Sequence, residues 1–318
     1  MSIREYTIYP TIRLNGLIEN FMYFEIGISM IMPKMSVGFA MILLVAGNMI
    51  AVLSDALIKE LPDGAAVYQF VLLRQLTAVL MLLPFCLFNQ KAKLLSNVKW
   101  HFVRGHIWLF GAVFMVLSIQ ALPLATVNAI FYTAPLLMLP LGFLFYKDRL
   151  TAPSIIVAIL GFIGILVVVK PTQINMGAIF ALIVALTMAT NNLLVRKLPS
   201  NHTVAQTLFL TNLVGIPLGL GLAIWENAPL SWYALWIAAG SNLFILIYAG
   251  ICVLVYRAVE AHKISSAEYT GLLGAVVIGI IWFDEIPDIS LLIGSALIVL
   301  PLIWLATLES IKYKRTAL

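Results

Sequence analysis

The sequence is poor in charge and in cysteine. Of its 318 residues, 10% are Asp, Glu, Lys or Arg and two are Cys. Soluble domains carry about a quarter of their residues as charges, so a water-exposed surface of ordinary composition is excluded. Cys86 and Cys252 both fall inside apolar stretches, which argues against a disulfide framework or a thiolate metal centre. The four histidines, His101, His106, His202 and His262, are scattered, and no two have the i, i+4 spacing of a helical metal motif. A Gly-Lys-Ser/Thr phosphate loop is missing, and with it ATP hydrolysis by that route. Ten-residue alternating strands are missing too, which excludes a transmembrane β-barrel. Neither a cofactor nor an enzymatic site is expected.

What the sequence has is apolar length. Hydrophobic residues make up 62% of the chain and the mean hydropathy is +1.04. A helix needs about 20 apolar residues to cross the hydrocarbon of a bilayer. Ten segments meet that length approximately, at 37–58, 66–88, 102–121, 126–146, 152–170, 177–196, 204–224, 234–257, 264–283 and 289–308. The expected fold class is therefore an all-α integral membrane protein with ten transmembrane helices. Pro62, Pro123, Pro171, Pro199 and Pro287 mark the connections.

Basic residues orient the chain. With a cytoplasmic N-terminus, 16 of the 19 Lys and Arg residues fall in cytoplasmic segments, including Lys91, Lys93, Lys99, Lys147, Arg149, Arg196 and Lys197. Lys59 and Lys170 fall outside, and Arg74 falls within a helix. That bias obeys the positive-inside rule and places both termini in the cytoplasm. It also accounts for a pI near 9.2 through contact with anionic lipid, without nucleic acid.

One apolar phrase is written twice. "FYTAPLLMLPLGFLFYKDRL" begins at Phe131 and "EYTGLLGAVVIGIIWFDEIP" begins 137 residues later at Glu268. The same offset aligns Pro62 with Pro199, Gln69 with Gln206, Tyr132-Thr133 with Tyr269-Thr270, Gly142 with Gly279 and Asp148 with Glu285. Five helices separate each residue from its counterpart, and five is odd, so the halves are expected to lie inverted in the membrane. The charges agree: the first copy ends in Lys147-Asp148-Arg149 and the second in Asp284-Glu285. Inverted repeats are an architecture of secondary transporters with a midplane site. Residues 36–171 form the first expected repeat and 172–308 the second, with a basic tail at 309–318.

The run "LLRQLTAVLMLLP" from Leu72 and the stretch from Pro123 to Pro171 resemble the EamA-type branch of the drug/metabolite transporter superfamily. The resemblance covers roughly residues 36–308. Where family members commonly read Leu-Gly-Glu-Arg, this chain has Tyr146-Lys147-Asp148-Arg149. The resemblance implies a central cavity formed by helices one to four and six to nine, and ATP-independent transport, usually export, of amino acids or other small metabolites. A bacterial inner membrane is the expected location. The partners expected are lipid and a small-molecule substrate, together with protons or a counter-substrate; a homodimer is compatible. A carrier for a nucleoside-bearing metabolite such as S-adenosylmethionine is the alternative, and a membrane-embedded enzyme or helper subunit a third class.

Polar residues inside lipid-length helices are costly unless paired or lining a pathway, and so mark candidate substrate contacts. Asn48 and Asp55 stand seven apart on one face of the first segment. Arg74 reads equally as a substrate contact or as an anchor to Asp55 or to helix-end carbonyls. Asn128 and Tyr132 share a face of the fourth segment with Pro135, and Tyr269 repeats Tyr132 in the ninth. Glu268 breaks the symmetry, standing where the first half has Phe131; it reads as a cation or proton site, or as a partner of Lys263 or Arg257. Trp108, Asn191 and Tyr248 complete the substrate-binding candidates, with Gln120, Asn192, Ser241 and Cys252 as weaker ones. Gly161, Gly164, Gly294 and Ser295 read as close-packing residues. Residues 1–35 read as a separate segment, either an amphipathic stretch on the membrane face or an upstream extension ahead of Met32 or Met35.

Overall fold

A computed structural model describes residues 35–88, 98–147, 151–169, 176–194, 197–198, 202–258, 267 and 269–316. The N-terminal segment, Glu268 and the Lys263 partner proposed for it lie outside the described residues, as do Asp148 and Arg149. The described chain is helical, with no strand among the described residues. In order the helices are α1 (Val37–Lys59), α2 (Val67–Phe88), α3 (Val98–Ala121), α4 (Leu124–Phe131), α5 (Ala134–Tyr146), α6 (Ala152–Val169), α7 (Met176–Leu194), α8 (Val204–Glu226), α9 (Trp232–Ala258), α10 (Thr270–Phe283) and α11 (Ile289–Thr316).

Among the described residues eight spans are long and apolar enough to cross a membrane, with α4 and α5 running on as one span, Leu124–Tyr146. The apolar helices Thr270–Phe283 and Ile289–Leu305 are shorter. These spans make the chain a multi-pass membrane protein. Lipid as solvent also explains its surface, where Trp225, Trp236, Ile281 and Leu144 are each at least two-thirds exposed, a pattern a water-soluble chain avoids.

The fourth segment, read from the sequence as one helix, is interrupted at Tyr132-Thr133. The cause is Pro135: it has no N–H for the Phe131 carbonyl, and its ring crowds that carbonyl. The chain adapts with a tighter turn, in which Thr133 N and Thr133 Oγ1 both donate to the Ile130 carbonyl at 3.0 Å and 2.6 Å. The ninth segment has the same device. Thr270 Oγ1 donates to the Ala267 carbonyl at 2.6 Å, although no proline stands there. Further along, α5 ends on Lys147 at φ 55°, ψ 33°, and α10 ends on Asp284 at φ 52°, ψ 29°. Both are left-handed caps in non-glycine residues; the conformation costs free energy at Lys147 and is better tolerated by an aspartate such as Asp284.

The packing of the helices is reciprocal. α2 lies along α8, and α6 lies along α11; α3 packs on α7 and α8, while α1 and α2 pack on α9. Finally α10 packs on α1, and α4 and α5 pack on α7. Small residues permit the closest approaches. A Cβ on Gly164 would stand 2.8 Å from the Gly294 carbonyl oxygen, and a Cβ on Gly294 would stand 2.8 Å from that of Gly164. Gly161 leaves similar room for Leu136. These glycines pack as the sequence indicated, since in lipid helix association depends on close van der Waals contact rather than on excluding water.

Candidate functional site

Polar side chains gather between the helices in layers. At the Lys59 end of the bundle, Lys59 Nζ meets Glu285 Oε1 at 2.8 Å and donates to the Leu122 carbonyl at 2.6 Å. The Glu285 carboxylate also accepts from Leu124 N, at 2.9 Å to Oε1 and 2.7 Å to Oε2. It thereby caps the N-terminus of α4, where a negative charge complements the free N–H groups. Nearby, the Glu226 carboxylate accepts from Tyr68 N at 3.2 Å and Gln69 N at 2.8 Å at the start of α2. Gln69 Nε2 donates to the carbonyls of Ala228 and Pro229, and Gln69 Oε1 accepts from Ser231 N. The two halves of the chain are thus stitched together at this end.

One to three turns deeper lies the second layer. Asp55 is buried on α1, and its Oδ2 accepts from Asn128 Nδ2 at 3.3 Å. Arg74 on α2 attracts Asp55 electrostatically, yet among the described residues no direct ion pair closes between them. The Arg74 backbone carbonyl accepts from Asn242 Nδ2 at 2.6 Å, which also reaches Thr77 Oγ1 at 2.6 Å. The sequence reading missed Asn242 and Thr77, because nothing in their local pattern reveals a contact 165 residues apart in the chain.

Near the middle of the span, Asn48 Nδ2 donates to the Ala267 carbonyl at 2.9 Å and fastens α1 to the turn before α10. Tyr132 and Tyr269 face each other with ring centroids 6.1 Å apart and planes at 51°, and the Tyr132 hydroxyl lies over Gly271, where any side chain would collide with it. Tyr248 on α9 packs beside Gly47 of α1.

Toward the other end of the bundle Arg104 is buried; its Nη1 donates to Thr211 Oγ1 at 2.9 Å and its Nε to the Asn191 carbonyl at 3.4 Å. His101 Nε2 and His202 Nδ1 are 3.1 Å apart, with the rings stacked. Histidines that looked scattered in the sequence therefore meet through the fold. No group of three or more metal-ligating side chains occurs among the described residues. Trp108 lies one turn beyond Arg104 on α3 and is 38% exposed.

Of the sequence candidates, Asn48, Asp55, Arg74, Asn128, Tyr132 and Tyr269 are brought together on α1, α2, α4 and the start of α10. Trp108 and Asn191 belong to the Arg104 layer, with Tyr248 apart on α9. Glu268 is outside the described residues.

Residues 38–170 match the EamA-like transporter family. Those residues are similar to an EamA-like transporter domain. Relatives extend the likeness beyond this domain. An S-adenosylmethionine uptake transporter of Rickettsia conorii is 23% identical over 251 residues, covering 77% of this chain and 85% of that protein. The pseudopaline exporter CntI of Pseudomonas aeruginosa is 25% identical over 287 residues, covering 83% and 97%. A solved crystal structure, 17% identical, superposes with a TM-score of 0.57 over 85% of this chain and 96% of the other, a likeness of fold.

Proposed function

We propose that the chain is a secondary carrier for small zwitterionic metabolites, working by alternating access between two inverted five-helix repeats. The observation that carries this reading is the reciprocal packing of the helices: the main contacts made by the helices of residues 37–169 on the later half have counterparts with the roles exchanged. The Thr133 and Thr270 hydroxyl bonds and the left-handed caps at Lys147 and Asp284, each pair 137 residues apart, support the same symmetry. Near-equivalent halves give inward and outward states of similar free energy, which differential binding can interconvert. In this reading the Lys59–Glu285 and Glu226–Gln69 contacts close the outer side, both termini are cytoplasmic, and substrate approaches from the Arg104 end. The bacterial inner membrane is the membrane concerned.

The decisive experiment has two arms. Cysteine labelling places residues 147 and 284 on opposite sides of the membrane; the same side for both refutes the repeat. Purified protein in proteoliposomes takes up labelled amino acids or S-adenosylmethionine, with and without a pH gradient, which separates proton coupling from exchange. No uptake of any zwitterion refutes the carrier.

Transport of S-adenosylmethionine is a second reading, favoured by the Tyr132–Tyr269 pair beside Asn128 and by the Rickettsia relative. The tyrosines suit the adenine ring, since stacking on aromatic faces tolerates any base. A melting-temperature rise with S-adenosylmethionine and none with methionine or adenosine distinguishes it.

A further inference from the structure

Among the described residues Arg74 is a charge without a hydrogen-bond partner. Its guanidinium makes no hydrogen bond with any described residue, and its Nε is fully buried and unpaired. Two neighbouring polar side chains are occupied elsewhere. Asn242 and Thr77 are engaged with the Arg74 backbone carbonyl and with each other. Gln75, next in the chain, packs against Gly215 and Gly219, and its amide is likewise buried without a hydrogen-bond partner among the described residues. An arginine that served only as a structural anchor would have saturated its five N–H donors on carbonyls or a carboxylate. Both anchors considered from the sequence, helix-end carbonyls and a direct pair with Asp55, go unused.

Asp55 is the complementary case. It is buried, one oxygen is held by Asn128 Nδ2, and Oδ1 accepts no hydrogen bond from any described residue. The two groups attract each other across a gap wider than an ion pair. Opposite charges held apart in a low-dielectric interior are costly, and the arrangement is sustained when something bridges them. An α-ammonium-carboxylate group does so with both charges matched: its carboxylate takes the two-pronged face of a guanidinium, and its ammonium donates to a carboxylate oxygen.

We propose that Arg74 and Asp55 form a clamp for the amino-acid head group, Arg74 holding the α-carboxylate and Asp55 the α-ammonium. The clamp rests on the carrier reading above. Asn128 fixes the Asp55 carboxylate in place, and Tyr132, one turn further along the same segment, stands with Tyr269 where the rest of the substrate extends. The head group is thus the constant element of recognition and the tyrosine end the variable one. A site built on both charges rejects analogues that lack either, because the abandoned charge is left buried and unpaired.

The experiment uses full-length protein in proteoliposomes and needs no variant at first. S-adenosylmethionine and the twenty common amino acids identify a transported zwitterion. Its decarboxylated analogue, and the analogue with hydrogen in place of the ammonium, then compete for uptake. The expected result is competition weaker than that of the zwitterion by on the order of 30-fold or more for each analogue. In Arg74→Gln the preference over the decarboxylated analogue collapses, and in Asp55→Asn the preference over the deaminated one collapses. Arg74→Lys, which keeps the charge but loses the two-pronged geometry, retains part of it. Both analogues competing as well as the zwitterion, or Arg74→Gln weakening all three ligands equally, overturns the clamp and leaves the carrier reading standing. Uptake of no zwitterion overturns both.

Discussion

Removing the Glu285 carboxylate should unfasten the closed end of the bundle. In Glu285→Ala, Lys59 Nζ loses its 2.8 Å ion pair and Leu124 N loses both carboxylate oxygens. The two charged side chains are 15% and 13% exposed, between the exposed pairs worth about 0.2–1 kcal/mol and the fully buried ones whose breakage costs about 3–5 kcal/mol. Lys59 keeps the Leu122 carbonyl at 2.6 Å, which softens the loss. A net cost of about 2 kcal/mol follows, and at about 1.4 kcal/mol per tenfold the ratio of closed to open outer state falls roughly 30-fold. A cysteine at Ala125, buried beneath the contact, reports the change in a background lacking Cys86 and Cys252. Its labelling by a membrane-impermeant maleimide from outside should accelerate at least about tenfold in Glu285→Ala, with Glu285→Gln intermediate. An unchanged labelling rate in folded Glu285→Ala protein would refute the argument that this contact closes the outer side.

Other expectations follow from separate parts of the structure. Gly294→Leu drives a side chain into Val168 and the Gly164 carbonyl; overpacking of this kind costs about 1–3 kcal/mol and should lower the melting temperature in detergent, whereas Gly221→Ala, with open space around it, should not. Thr203→Ala removes the side chain that accepts from Gln206 N at 3.1 Å and with it half of a capping box; a loss of about 0.5–2 kcal/mol should appear as a lower unfolding temperature with transport specificity unchanged. Tyr269→Ala removes one wall of the facing tyrosine pair. Uptake of substrates with aromatic or nucleoside side chains should weaken by roughly 0.5–1.5 kcal/mol, while small aliphatic zwitterions should change little.

The periodic part of this molecule was legible and the long-range part was not. Segment positions follow from apolar length alone, so each expected helix starts or ends within a few residues of one in the structure. The ninth shares its end at Phe283, and its expected start at residue 264 lies outside the described residues. Pro135 was noticed as part of a face shared with Asn128 and Tyr132, but its effect on the Phe131 carbonyl, and hence the break in the fourth segment, was not drawn. Lys147 in a left-handed cap carried no signal, because lysine is not a residue that favours that conformation. The meetings of His101 with His202, of Lys59 with Glu285 and of Asn242 with the Arg74 carbonyl depend on which helices become neighbours, which no local pattern records. Tyr132 and Tyr269 were the exception, since an internal repeat supplies two positions related by symmetry.

Gly164 and Gly294 meet backbone against backbone, so α6 and α11 cannot slip along one another without one Cα riding over the other's carbonyl. In the carrier reading this pair is expected to behave as a fixed strut at the flank while the inner helices exchange partners. Fluorophores attached to exposed positions of the two helices, such as Ile159 and Leu300, should keep a constant separation throughout a transport cycle, giving an internal ruler against which every other displacement can be measured.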